Sequence, residues 1–220
     1  MKNPSGGAWM PPPAADTSTR AAVLKRDKNT CRYCGFASEK HQVVRWHEGQ
    51  AKTKGVDAFV TACLFCDQCF ALETAGMAGS GVLVWLPEMD QARINHICRA
   101  AYVARAEGGD LAEAAQTAFD SLIVRRYEIR RLLRTDDPLV LATVLADTLS
   151  DAEYAKRGQK LDGVRLLPLD RRIVRRGNKD VDVFPEMLTY WRAKNGPFRG
   201  VAPGSWASLL EKIGGGHTEA

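Results

Sequence analysis

Cys31-Arg32-Tyr33-Cys34 and Cys63-Leu64-Phe65-Cys66 are the two stretches that decide how this chain is read. Cysteines three apart on one turn deliver both thiolates to a single ion at about 2.3 Å, and two such pairs complete the tetrahedron that Zn²⁺ prefers. A closed four-thiolate site leaves no position for water, so it holds structure and does not activate a nucleophile. The expectation is one structural zinc on Cys31, Cys34, Cys63 and Cys66. Cys69 complicates the count, because Cys63, Cys66 and Cys69 are evenly spaced and either adjacent pair can complete the site. Cys63 with Cys66 is favoured, since that pair straddles the entry to a helix whereas Cys69 lies a full turn inside.

Outward from the cysteines, Ala21 to Asp27 suits a short helix or turn leading into the first pair, and Gly35 lets the backbone reverse after it. Val43-Val44-Arg45-Trp46 has the β-branched and aromatic content of a strand, Gly49 to Gly55 reads as a polar loop, and Phe59-Val60-Thr61 as a returning strand. A helix is expected from Leu64 to about Thr74, ended by Gly76 and Gly79. Knuckle, hairpin and helix in that order make a treble-clef-like ββα module, with the metal supplying much of its stability. The fold class is α+β.

Beyond Gly81 the pattern turns to amphipathic helices. One begins at Pro87 and repeats Ile94, Ile97, Cys98 and Ala101; the next opens on a capping box, Asp110 to Glu113, and runs to about Leu133 with Ala115, Ala118, Leu122 and Ile129 on one face. A third starts at Pro138, capped by Asp137, with Leu141, Val144, Leu145 and Leu149 inward. Val164 to Leu169 reads as extended, with Pro168 confining it to an edge or a loop; Pro185 to Ala193 and Trp206 to Ile213 read as further helices. The domain plan is a flexible arm over 1–18, a zinc module over 19–85, a helical region over 86–213 packing on it, and a flexible tail over 214–220.

A chain of 220 residues, 45% of them hydrophobic, has ample material for a core. No run approaches the roughly 18 apolar residues a membrane helix needs, and Met1 to Asp16 lacks an apolar signal core, so the expected location is cytoplasmic. Six cysteines there read as a metal cluster and not as disulfides, with Cys98 a buried thiol on a helix stripe. The net charge of +5 permits nucleic acid, acidic lipid or an acidic protein tail as a partner without selecting among them, and Arg125-Arg126, Arg130-Arg131, Arg171-Arg172 and Arg175-Arg176 are interleaved with Glu128, Asp136, Asp137, Asp170 and Asp180. Those doublets read as solvated or helix-terminal ion-paired surface. Of the histidines, His41 and His47 lie in the hairpin, where catalysis would sit, while His217 lies in the tail and His96 on a helix far from the knuckle.

Arg26-Asp27, Thr30-Cys31, Cys34-Gly35, the Val43-Val44 strand and Phe59-Val60-Thr61-Ala62-Cys63 resemble the zinc-containing HNH endonucleases. That family ends its first strand on a His-His pair, has an Asn before the second cysteine pair and a His after its last cysteine. The matching positions here are Arg45, Trp46, Ala58 and Asp67, and none keeps the catalytic type. His47 is one position out of register, which on a strand points it to the opposite face.

A second resemblance covers about residues 20–200. Cys31-Arg32-Tyr33-Cys34-Gly35-Phe36, Cys63 to Phe70, Trp85-Leu86-Pro87-Glu88, Ile94 to Ala100 and Met187-Leu188 with Tyr190-Trp191-Arg192 resemble the DotN (IcmJ) family of the Dot/Icm type IVB secretion system. The resemblance implies a non-catalytic, HNH-like zinc scaffold, not an enzyme. Its implied partners are the C-terminal extension of a DotL-like coupling ATPase and other subunits of the coupling complex, which place it at the inner membrane without insertion. The competing functions are an HNH-type metal-dependent endonuclease and a nucleic-acid-binding module. No residue for the partner surface follows from either resemblance, although Trp46, Trp85, Trp191 and Trp206 are candidates for core or interface.

Overall fold

Asp16 accepts a hydrogen bond from the Thr19 amide at 2.7 Å and thereby starts the first helix, α1 (Thr17–Arg26). The computed structural model describes residues 14–47, 55–150, 153, 154, 156–206 and 208. Most of the expected arm, the polar loop from Gly49 to Lys54 and the glycine tail lie outside them. Thr17 and Ser18 belong to α1 and not to an arm, because the Asp16 cap extends the helix beyond the expected start at Ala21.

The hairpin forms as expected. Strand β1 (Gln42–Trp46) runs antiparallel to β2 (Phe59–Cys63), with Gln42 opposite Cys63 and Trp46 opposite Phe59. Trp46 and Phe59 then meet edge to face at 5.7 Å between centroids, a cross-strand aromatic pair that fixes the register. The single helix expected from Leu64 to Thr74 is two: α2 (Leu64–Cys69) and α3 (Leu72–Met77). The break at Phe70 and Ala71 turns Phe70 onto Tyr33, 4.7 Å between ring centroids, with the Arg45 guanidinium 4.0 Å from the Phe70 ring.

The remainder is less helical than its periodicity implies. Val82, Leu83 and Val84 are buried in a strand, β3 (Gly81–Trp85), bounded by turns; a short run buried on both faces carries no alternation to betray it. Its partner is β4 (Val164–Pro168), reached after 78 residues, with Gly81 opposite Pro168 and Trp85 opposite Val164. Between them lie α4 (Gln91–Arg105), α5 (Gly109–Ile123), α6 (Arg126–Leu133), α7 (Pro138–Thr148) and the one-turn α8 (Arg157–Lys160). A second hairpin, β5 (Ile173–Arg176) with β6 (Lys179–Asp182), precedes α9 (Phe184–Arg192).

Several local readings are corrected. Helix α4 starts at Gln91 under the Asp90 cap and not at Pro87. The capping box at Asp110 does not form, since Gly108 at φ +84° is the N-cap. The helix expected to reach Leu133 breaks at Val124 and Arg125, where the Arg125 carbonyl accepts from the Trp85 amide and the Arg125 side chain pairs with Glu88 at 2.8 Å. Closing the outer edge of β3 outweighs continuing the helix. Val144 faces solvent, and Arg172, expected at the surface, is only 4% exposed. The other doublets behave as expected: Arg126 and Arg130 converge on Asp136, Arg175 pairs with Asp180 and Arg176 with Glu186.

Side chains from the hairpin, α2, α4, β3, β4 and α9 share one core, centred on Phe65, Tyr102, Phe184 and Trp191 in edge-to-face contacts. A smaller core joins α3, α6 and α7 beneath β3 and β4 through Ala75, Leu83, Ile129, Leu141 and Leu166. Helix α3 crosses α7 at Gly76, where an added Cβ would lie 2.4 Å from the Leu139 amide nitrogen. Alanine gains about 1 kcal/mol of helix propensity over glycine. The clash is with backbone, so overpacking of about 1–3 kcal/mol wins. Gly76→Ala is therefore expected to lower stability, read as a reduced urea midpoint of the full chain at unchanged slope; a raised midpoint would contradict this packing.

Candidate metal centre

Two backbone devices bring the cysteine pairs together. Gly35, at φ +74°, closes the first turn, with its amide on the Cys31 carbonyl at 2.8 Å and the Cys31 amide on the Phe36 carbonyl at 3.0 Å. The Arg32 amide donates to the Thr61 carbonyl at 2.9 Å, which docks this knuckle on β2 two residues before Cys63. Side chains then fix the arrangement. Gln42 donates from Nε2 to the carbonyls of Asn29 and Phe36, both at 2.9 Å, and the Asp27 carboxylate accepts from the Thr61 amide at 2.9 Å.

The sulfurs of Cys31, Cys34, Cys63 and Cys66 all lie within 4.8 Å of one another, and Cys34 Sγ is 3.7 Å from Cys63 Sγ. That is far beyond the roughly 2.05 Å of a disulfide. It matches the edge of about 3.8 Å that a tetrahedron of thiolates about 2.3 Å from a central ion would have. Four cysteines this close could hold one metal ion, and an all-sulfur set of four suits zinc. Cys69 stands apart, its thiol donating to the Phe65 carbonyl at 3.3 Å one turn back. Burial pushes the Cys69 thiol, like that of Cys98, up to about 12.

Protons are shared unevenly within the cluster. The Cys31 thiol is held far below the usual range because Cys34, then Cys63 and Cys66, donate to it, whereas Cys66 is pushed far above by Cys31, Cys34 and Cys63. Four thiolates at these separations repel one another, so full deprotonation needs a cation among them. Surrounding donors already point at the sulfurs. The Cys66 amide reaches Cys63 Sγ at 3.4 Å, Asn95 Nδ2 reaches Cys66 Sγ at 3.2 Å, and Arg99 Nη2 reaches Cys63 Sγ at 3.4 Å.

Asn95 and Arg99 were not legible as site residues, and His96 lies close to the knuckle and not far from it. Its Nε2 is 2.7 Å from the Cys34 carbonyl. One turn of α4 thus supplies three side chains to the centre, and the signal in the sequence was only Ile94 to Ala100 as an unbroken block.

Where the HNH pattern would place catalytic groups, other contacts stand. Arg45 pairs with Asp67 at 3.3 Å, Trp46 packs on Phe59, and Ala58 is buried. His41 and His47 flank β1 at opposite ends, roughly 20 Å apart at about 3.3 Å per residue. His41 sits at φ +60° against Tyr190, its pKa lowered by burial, and the His47 ring is 6.4 Å from Tyr33.

No family model matches the chain. A protein of Legionella pneumophila subsp. pneumophila described as type 4 apparatus protein DotN is 30% identical over 150 residues, covering 66% of this chain and 70% of that protein. The chain belongs to the DotN family. For this DotN-family chain the four-cysteine cluster gives a direct prediction. Cys69→Ser should retain the metal content of the wild-type chain, whereas Cys66→Ser should lose it and unfold at lower temperature. Elemental analysis and thermal unfolding of the purified chain decide this; equal metal loss in both variants would move the ligand set to Cys69.

Proposed function

We propose that the chain is a non-catalytic adaptor subunit of a type IV secretion coupling complex, whose body binds the C-terminal extension of a DotL-like coupling ATPase. The observation that carries this reading is membership of the DotN family, at 30% identity to a type 4 apparatus protein. One structural zinc on Cys31, Cys34, Cys63 and Cys66 holds the module of residues 19–85, which has the treble-clef form of an HNH scaffold. The region 86–213 packs on that module and presents the partner surface.

Two observations support an adaptor over a nuclease. The Arg45–Asp67 ion pair occupies positions where that scaffold carries imidazoles, and an arginine there is a permanent cation that cannot accept a proton as a general base. Helices α6 and α7 leave Tyr127, Leu132, Val140 and Val144 exposed, apolar area of the kind association buries. The protein is cytoplasmic and reaches the inner membrane through its partner. No described helix is long and apolar enough to cross a membrane.

Coexpression of the full chain with the C-terminal extension of the coupling ATPase from the same organism tests the proposal. The expected outcome is a complex that survives size-exclusion chromatography at micromolar concentration. A folded, metal-loaded chain that elutes alone would overturn it. Magnesium- or manganese-dependent cleavage of plasmid DNA, lost in His47→Ala, would replace it with the endonuclease reading.

A further inference from the structure

Four charged side chains of the described residues are buried to less than a tenth of their exposure, and they fall into two classes. Asp27 pairs with Arg26 at 3.0 Å, and Asp136 takes both Arg126 and Arg130. Arg99 and Arg172, 1% and 4% exposed, have no carboxylate partner among the described residues. An uncompensated buried charge is among the most costly features a fold can carry. Something near these two guanidiniums has to be negative.

Both cations bracket the same ring beside the cysteine cluster. Arg99 lies 5.1 Å from the centroid of Phe65 and 3.7 Å from that of Phe36, with Nη2 donating to Cys63 Sγ at 3.4 Å and Nη1 3.3 Å from His96 Nδ1; its Nε has no partner. Arg172 lies 4.4 Å from the Phe65 centroid, with Nη1 donating to the carbonyls of Ser80, Leu169 and Arg171, while Nε and Nη2 have no partner. Phe65 itself stands between Cys63 and Cys66 in the chain. Cation–π contacts and carbonyls orient the guanidiniums without cancelling their charge.

We infer that Arg99 and Arg172 are the counter-cations of the four-cysteine centre, balancing the two negative charges left when four thiolates hold one divalent ion. This rests on the reading that Cys31, Cys34, Cys63 and Cys66 hold a metal. Two arginines match the residual charge of that centre in sign and number. Arg99 acts through Cys63 Sγ, by a cationic N–H donor that favours the thiolate and draws electron density from it. Arg172, one ring away, acts through space.

The test compares the full-length wild-type chain with Arg99→Gln, Arg99→Lys and Arg172→Gln, using zinc competition against a chromophoric chelator and the absorption of the Co²⁺-substituted chain. Wild type is expected to hold one zinc. Arg99→Gln is expected to bind it roughly 10- to 100-fold more weakly, the range for partners of metal ligands. Its thiolate-to-cobalt charge-transfer band should move to lower energy, because the sulfur loses a cationic donor. Arg99→Lys should restore most of the affinity, and Arg172→Gln should weaken zinc in the same direction by less. A merely packing role for Arg99 would lower thermal stability and leave the band and the zinc affinity at wild-type values, and that outcome overturns the inference. If Arg99→Gln is insoluble, Arg172→Gln decides, and unchanged zinc affinity there overturns it equally. Wild type without zinc, by contrast, sinks the metal reading itself.

Discussion

The meeting of four sulfurs within 4.8 Å is the constraint on which the rest of the structure depends. Two short turns, 29 residues apart at their Cys34–Cys63 contact, are held against each other over a hairpin that buries little by itself. Structural zinc supplies about 10–16 kcal/mol in small cysteine modules. That matches or exceeds the roughly 5–15 kcal/mol by which whole domains are stable. With a metal bound, the cluster would therefore decide whether this half of the chain is folded at all. Because Cys31, Cys63 and Cys66 also sit in the main core beside Tyr102 and Trp191, the cysteine cluster and the hydrophobic core are one packed unit.

The parts of the fold set by local chemistry were legible in the sequence. Val43 to Trp46 and Phe59 to Thr61 announce a hairpin by β-branched and aromatic content, Asp137-Pro138 announces a helix start, and cysteine spacing announces the cluster. The parts set by distant partners were not. Strand β3 carries no alternation to mark it until β4 arrives 78 residues later, and its outer edge is closed by the Arg125 carbonyl, from a break in what periodicity reads as one helix, and by the Asp136 carbonyl beyond α6. Arg172 shows the same limit from the side of charge. Beside Arg171 and Asp170 it reads as surface, and only tertiary contact with Ser80 and Phe65 reveals it as core.

The candidate site divides in the same way. Its cysteines were legible because metal ligation needs a fixed spacing, whereas Asn95, His96 and Arg99 act on the cluster from a helix about 30 residues beyond it. An outer-shell donor has no spacing rule relative to the ligands, since any helix that packs alongside can supply one. Helix α4 does so because its N-cap, Asp90, sets its phase, so that Asn95 and Arg99, four residues apart, face the sulfurs on one side.

Arg45 and Asp67 carry the argument about function further than the cysteines do. At the positions where the HNH pattern carries histidines, an imidazole is worth keeping only if it moves protons. An arginine paired with a carboxylate cannot, but it can hold two elements together. Here the pair links β1 to α2, and the same guanidinium lies over Phe70, the residue at which α2 ends and the chain turns into α3. Helix α3 in turn packs on α7 at Gly76, which ties the position of the cysteine helix to the outer face carrying Val140 and Val144. Positions that would serve chemistry in a nuclease serve, in this chain, to fix where a helical surface stands relative to the four-cysteine cluster.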